Sequence, residues 1–228
     1  MRSNRTAQYI LVLGAGLSCA ALANADVVLL NQTGSVSADA SSTKSDSHTM
    51  TGSGEWSASQ VVYQSGTSGY WVGGNQFSNV DTGSMFADGS ARAKAFGAFR
   101  PARNWSSRSD FTSLFMVGGE GQLMNIDVEL AAAGTGSYSI VTVGLAAGSG
   151  SGAWLVDVDT RTGGTGFNGV LTLAPGTYQI SIQSFALFPT TSSGGDAQFS
   201  MGVGFANVPG PSAIATVALF AFLRRRRV

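Results

Sequence analysis

Apolar and polar residues alternate with a period of two over much of the chain after residue 108. Segment 196–205 shows the pattern clearly, because every second residue is apolar and the residues between are polar or Gly. This alternation is typical of a β-strand with one buried face. The residues on the apolar face are Ala197, Phe199, Met201, Val203 and Phe205. Two further segments alternate in the same way, with apolar positions Met124, Ile126, Val128 and Leu130 in one and Trp154, Val156 and Val158 in the other.

The segment Leu171–Ile182 contains two alternating runs separated by Pro175-Gly176. Proline presets a φ suited to a turn and glycine supplies a positive φ, so the segment predicts a hairpin. Repeated short strands separated by Gly-rich turns are typical of antiparallel sandwiches. The sequence therefore predicts an all-β fold, an antiparallel jelly-roll-like β-sandwich, over residues 26–206.

Residues 31–54 are harder to assign, because Ser, Thr, Ala, Gly and Asp dominate there. By composition this segment could be disordered. Against disorder, Val36, Ala38 and Ala40 alternate with polar residues, and aromatic residues follow at Trp56 and Trp71. We favour weakly hydrophobic outer strands over disorder.

The N-terminus has the composition of a secretory signal peptide. Arg2 and Arg5 precede an apolar stretch over residues 9–23, and the segment closes with Ala23-Asn24-Ala25. We expect a signal helix over residues 1–25, cleaved between Ala25 and Asp26. An uncleaved anchor is the alternative, but the apolar run is shorter than the ~20 residues that span a bilayer.

The single cysteine, Cys19, lies inside this segment. Gly16-Leu17-Ser18 before it fits a lipoprotein site poorly, so we interpret Cys19 as a small apolar residue of the signal core. The mature protein then has no thiol for a disulfide, a thiolate metal site or a nucleophile.

The C-terminus, residues 207–228, combines a proline pair, a short apolar segment and a basic end. Pro209-Gly210-Pro211 precedes the uncharged residues 212–223, and Arg224, Arg225, Arg226 and Arg227 follow. As a helix the twelve uncharged residues would measure ~18 Å, short for a bilayer span, although the arginines can snorkel to the headgroups. Clustered arginines also favour the cytoplasmic side of a membrane. We therefore predict a short transmembrane helix with the preceding domain outside.

In this order, the parts resemble the PEP-CTERM sorting tail of bacterial exported proteins, in the planctomycete-type form with a VPxP motif and an RRRR end. The resemblance covers some twenty residues. It implies processing by an exosortase-like membrane enzyme, after export through the secretion translocon and cleavage by signal peptidase. It also implies a location at the cell envelope, the cell surface or in the extracellular matrix.

The charge balance changes once the two ends are set aside. Arg2, Arg5 and the four tail arginines are six of the 13 basic residues, which leaves seven against 13 acidic residues, all of them between Asp26 and Asp196. The central domain therefore carries a net charge of about −6. Such a domain lacks the basic field that attracts nucleic acid, so we expect no nucleic-acid partner.

Candidate chemistry in the domain is sparse. His48 is the only histidine and no G-x-S-x-G motif is present, so a serine triad is not supported and an exposed loop or strand histidine is expected. Zinc binding requires several His or Cys ligands, which the domain does not have. Asp157 and Asp159 begin like a calcium loop, but Arg161 stands at its fifth position and Asn168 at its twelfth. A calcium ion bridged to another loop and a solvated strand face are the two alternatives there.

Two hypotheses assign a carbohydrate-related function to the domain. Asp127, Glu129, Asp157 and Asp159 could supply the paired carboxylates of a glycosidase, although each also fits the polar phase of its strand. Trp56, Tyr70, Trp71 and Trp105 could form a sugar-stacking platform, although aromatic residues of a sandwich are more often core. We predict a non-enzymatic exported envelope or matrix protein without a cofactor, with extracellular polysaccharide as a candidate ligand. The alternative is a secreted carbohydrate-binding module.

Overall fold

The computed structural model describes residues 27–119, 121–146, 154–190 and 194–207, and these form twelve strands and one 3₁₀ turn, Thr160–Thr162. The strands are β1 (Val27–Asp39), β2 (Thr43–Met50), β3 (Gly54–Gln64), β4 (Gly69–Val80), β5 (Ser84–Phe96), β6 (Trp105–Val117), β7 (Gln122–Ala133), β8 (Tyr138–Leu145), β9 (Val156–Asp159), β10 (Gly166–Leu173), β11 (Gly176–Phe188) and β12 (Gly194–Asn207).

The strands form two six-stranded antiparallel sheets that pack face to face. Sheet A has the order β2-β1-β6-β11-β8-β9, and sheet B has the order β10-β7-β12-β5-β4-β3. The buried faces of the alternating strands fill the space between the sheets, as in a β-sandwich. The predicted all-β sandwich is confirmed.

The helices predicted at the two ends, in residues 1–25 and 212–223, lie outside the described residues. Within the described ranges, no helix has the length and apolar character needed to cross a bilayer.

The last eight strands pair in a nested order. β8 pairs with β9, β7 with β10, β6 with β11 and β5 with β12. Successive pairs alternate between sheet A and sheet B, so this half of the chain is a long strand pair folded over itself. β1 to β4 extend the two sheets on one side only.

The hairpin predicted at Pro175-Gly176 is wrong. The two alternating runs are strands β10 and β11, but β10 pairs with β7 in sheet B and β11 pairs with β6 and β8 in sheet A. Gly176 does not have a positive φ. The short connection instead crosses between the sheets, because both strands turn their apolar faces toward the same core from opposite sides. The hydroxyl of Tyr178 donates to the carbonyl of Ala174 at 2.9 Å and fixes this crossing.

Residues 31–54 lie mostly in strands, as favoured from the sequence: they include the end of β1, the whole of β2 and the first residue of β3. Val36, Ala38 and Ala40 are fully or almost fully buried along β1 and just beyond it. β2 pairs with β1 at the edge of sheet A and is largely exposed. An edge strand of this kind needs few apolar residues, which explains its polar composition.

The core contains two hydrophobic clusters. The larger lies between β6, β7, β8, β11 and β12 and includes Phe115, which is completely buried. The smaller lies under β4 and the start of β6, around Trp105. Alanines on β1, β5 and β11 line it and keep the two sheets close together there.

Buried serines connect the two sheets. Ser109 on β6 donates to the carbonyl of Asn75 on β4 at 2.9 Å, and Ser107 donates to that of Gly73 at 2.8 Å. Gly89 permits this close approach, because a Cβ there would lie 2.4 Å from the Ser109 hydroxyl and 2.5 Å from the Phe199 ring. The many Ser and Gly residues of the sequence therefore contribute to the interior as well as to the loops.

Candidate functional site

The predicted processing residues cannot be placed. Ala23, Ala25 and Asp26, and the tail residues Pro209, Gly210, Pro211, Arg224, Arg225, Arg226 and Arg227, lie outside the described residues.

The four aromatic residues considered for a sugar platform do not meet on one surface. Tyr70 and Trp105 are buried and contact each other at a ring-centroid distance of 4.4 Å. Trp56 lies between the sheets against Gly34, where a Cβ would come within 2.3 Å of its ring. Trp71 alone of the four lies on the outer face of sheet B, half-buried. The core interpretation is confirmed for Tyr70 and Trp105.

His48 lies on β2 and is half-buried, not fully exposed. Its ring stacks on that of Trp56 with centroids 6.0 Å apart and an interplanar angle of 11°. This pair closes the side of the sandwich where β2 and β3 meet.

In the segment that resembles a calcium loop, Asp159 and Arg161 form an ion pair with each other. Asp159 caps the 3₁₀ turn by accepting from the backbone N–H of Arg161 at 2.8 Å. The Arg161 guanidinium also donates to Asp159 at 2.6 Å and lies 4.3 Å from the ring centroid of Tyr138. The hydrogen bond from the Arg161 side chain lowers the pKa of Asp159. Among the described residues, no group of three His, Cys, Asp or Glu side chains is placed to hold a metal ion.

The remaining carboxylates lie on the outer face of sheet B. Ser200 on β12 stands directly between Glu129 on β7 and Asp88 on β5, which places these two residues two strand spacings apart, roughly 10 Å. Asp127 follows on the same face of β7 and accepts a hydrogen bond from Asn168 on β10 at 3.0 Å. Burial raises the pKa of Asp88. These residues surround a depression of about 860 Å³, which we call the acidic end of the outer groove.

A second depression of about 250 Å³ continues the first along sheet B. Its lining includes Trp71, Arg92 and Asp196, and the Arg92 guanidinium lies 5.6 Å from the centroid of the Trp71 ring. Arg92 donates to Asp196 at 2.6 Å, and Lys94 contacts the same carboxylate. Burial opposes ionisation of Asp196, but the hydrogen bonds and charges of Lys94 and Arg92 outweigh it and lower its pKa. We call this part the aromatic end of the outer groove.

The two ends share a row of polar side chains. Asn75, Ser90 and Gln198 line both depressions. They occupy one cross-strand row, on β4, β5 and β12, and the Ser90 hydroxyl donates to Asn75 at 2.6 Å. The outer groove is therefore a continuous polar channel across sheet B with an aromatic ring at one end.

The groups that line the outer groove suit a polar ligand. Amide, hydroxyl and carboxylate groups with one aromatic ring match the hydrogen-bonding and stacking surfaces of a sugar. Asp127 and Glu129 are exposed, and Asp88 is exposed by its surface although partial desolvation of its carboxyl raises its pKa. A glycosidase acid needs surroundings that keep it protonated until it reaches the glycosidic oxygen, and the raised pKa of Asp88 is a shift in that direction.

The sequence did not single out Asp88, Arg92 or Gln198. Each follows the polar phase of its strand, so alternation alone predicts that it faces outward. The strand order β7-β12-β5-β4 brings these three residues onto one surface, and local sequence patterns do not predict that order.

Asp110 lies on the outer face of sheet A, and the shift of its pKa can be tested through the pH dependence of stability. Burial raises its pKa, although Arg108 at 2.7 Å and Ser35 at 3.0 Å oppose the shift. The folded state therefore binds the carboxyl proton of Asp110 more tightly than the unfolded state does, so protonation of Asp110 stabilises the fold. This stabilisation is complete at pH values below the unfolded pKa and is lost as pH rises through the folded pKa. We expect Asp110→Asn to increase the free energy of unfolding at neutral pH, with the gain disappearing in acid.

Urea unfolding of both proteins at neutral and acid pH measures this difference. Asp159→Asn is the matched control, because the pKa of Asp159 is lowered. That variant should be less stable than the wild type at neutral pH and equally stable in acid. A neutral-pH loss in Asp110→Asn as large as in the control would contradict the assignment.

A scan of protein-family models finds no match to this chain, and a search of curated proteins finds no relative.

Proposed function

We propose that the protein is a non-enzymatic exported protein of the cell envelope or extracellular matrix. Its domain is a jelly-roll β-sandwich, a classification supported by the nested pairing of β5 to β12. A PEP-CTERM-like tail sorts it after export. The observation that carries the proposal is the order of parts: signal-like residues 1–25, a sandwich whose described strands run from Val27 to Asn207, and Pro209 to Val228 with the features of a sorting tail.

The partners follow from this order. The secretion translocon and signal peptidase act on the N-terminal segment, and an exosortase-like enzyme acts on the tail. The arginine cluster keeps the extreme C-terminus at the cytoplasmic face while the domain is outside. The protein is therefore anchored through its C-terminus at least transiently.

Protease added to intact cells tests the orientation. We expect the domain to be digested without lysis, while a cytoplasmic marker protein survives. Protection of the domain until the cells are lysed would refute export.

A second candidate, a carbohydrate-binding module, is favoured by the outer groove. An extended glycan can hydrogen-bond to the row Asn75, Ser90 and Gln198 and stack a sugar ring near Trp71. The open channel suits a polymer better than a small enclosed ligand.

Retention on a polysaccharide array tests this candidate. We expect Trp71→Ala to weaken retention about tenfold, since loss of an aromatic contact costs on the order of 1–1.5 kcal/mol. Trp154→Ala is the matched control, because Trp154 is 50% exposed and lies outside the groove. Equal retention of both variants and the unmodified protein would remove the groove as the binding site.

A further inference from the structure

The four edge strands of the described sandwich differ in how well they are protected against pairing with another chain. An exposed edge carries unpaired N–H and C=O groups, and proteins commonly block it with charges, short strands, proline or bulges. In sheet A, β2 carries Lys44 and Asp46, and β9 has four residues followed at once by the 3₁₀ turn. In sheet B, the Lys44 ammonium caps the carbonyl of Val61 on β3 at 2.8 Å.

β10, the other edge of sheet B, has none of these features. Its eight residues, GFNGVLTL, contain no charge and no proline, and its register with β7 is continuous without a bulge. β10 is therefore the unprotected edge among these four.

Three of the eight large apolar side chains that are exposed among the described residues lie on the side of the sandwich that contains β10. Val170 on β10 is 63% exposed, and Trp154 and Leu155, which lead into the neighbouring β9, are 50% and 46% exposed. β9 contacts β10 across the two sheets.

The backbone direction determines which groups of β10 are free. The N–H of Leu130 on β7 donates to the carbonyl of Thr165 at 2.8 Å, just before β10 begins. In an antiparallel ladder the backbone groups of alternate residues point to opposite sides. The N–H and C=O groups of Gly166, Asn168, Val170 and Thr172 therefore point away from β7, toward the free edge.

We propose that two copies of this chain pair through β10, antiparallel about a two-fold axis at Val170, and join their B sheets into one twelve-stranded sheet. In this register Val170 faces Val170 of the second copy, and Asn168 faces Thr172. On the inner side, Phe167 faces Leu173. No charges oppose each other, and a two-fold interface of this kind is the commonest form of homo-oligomer.

The dimer also extends the outer groove. Gly166, Phe167 and Asn168 form the rim of the acidic end at β10, where sheet B stops. The second copy adds Val170 and Thr172 beyond this rim, so the grooves of the two copies become one surface. The pairing itself does not depend on what the groove binds.

Light scattering and sedimentation of the exported protein in mild detergent test the proposal. We expect a dimer, and Val170→Lys should convert it to a monomer by placing two ammonium groups opposite each other at the axis. Tyr63→Lys is the matched control, because Tyr63 is 68% exposed on β3, the other edge of the same sheet, and this variant should remain a dimer. Circular dichroism confirms that both variants keep their strand content.

A cross-link tests the register independently. A hydrogen-bonded antiparallel pair has its Cα atoms ~5.5 Å apart, within the ~4.4–6.8 Å that a disulfide spans. In a Cys19→Ala background, Val170→Cys should therefore form a disulfide-linked dimer, while Tyr63→Cys should not. A monomeric wild type, a dimer that survives Val170→Lys, or absence of the Val170→Cys cross-link would overturn the proposal.

Discussion

Replacing Arg224 to Arg227 with glutamine should move the domain from the cell envelope into the medium. The uncharged segment before these residues is short for a bilayer, and hydrophobic mismatch carries a cost for each ångström. The arginines compensate by reaching the headgroups and by resisting translocation, so they hold the precursor where a membrane enzyme can reach Pro209-Gly210-Pro211. Without them we expect most of the protein in the medium, with the fold of residues 26–206 unchanged.

Immunoblots of membrane and medium fractions measure this change. The control replaces Arg100 and Arg103, which lie in the loop before β6, and should leave the distribution as it is. If the four-glutamine variant stays with the membrane as the wild type does, the basic end has no part in retention.

Trp105→Ala should lose ~3–5 kcal/mol of the free energy of unfolding, the usual cost of removing a buried tryptophan side chain. Trp105 is 6% exposed and contacts Tyr70, Phe99 and Phe188 at ring-centroid distances of 4.4, 5.3 and 6.0 Å. A domain of this size is stable by ~5–15 kcal/mol in total, so this single change removes a large fraction of its stability.

Urea unfolding followed by circular dichroism gives the two free energies. Trp71→Ala makes the matched comparison, because Trp71 is half-buried on the outer face of sheet B and its loss should cost much less. Similar losses in the two variants would contradict the assignment of Trp105 to the core and of Trp71 to the groove.

The sequence predicted the buried faces of long strands well, because alternation over many residues leaves one choice of phase. Met124, Ile126 and Val128 are all buried on β7 as expected. On β3 the sequence leaves the phase open, because Val61, Val62 and Tyr63 are consecutive apolar residues. In the structure Trp56 and Val62 face inward and Tyr63 is exposed. Alternation could nonetheless have excluded part of the proposed platform: Tyr70 and Trp71 are adjacent in sequence, and adjacent residues of a strand face opposite sides.

Strand partners could not be predicted from local patterns. The two alternating runs around Pro175 were correctly identified as strands but wrongly paired with each other, because the pattern describes the face of a strand and not its neighbour. The outer groove could not be predicted for the same reason. Asp88 and Ser200 are neighbours only because the nested order places β12 beside β5.

The intact mass of the protein recovered from the cell surface tests the central claim most directly. Export followed by sorting predicts a species that begins near Asp26 and ends near Pro209, since both terminal segments are removed. A surface protein that still carries Val228 would contradict cleavage at the tail, and one that still begins at Met1 would contradict cleavage of the signal segment and favour an uncleaved anchor.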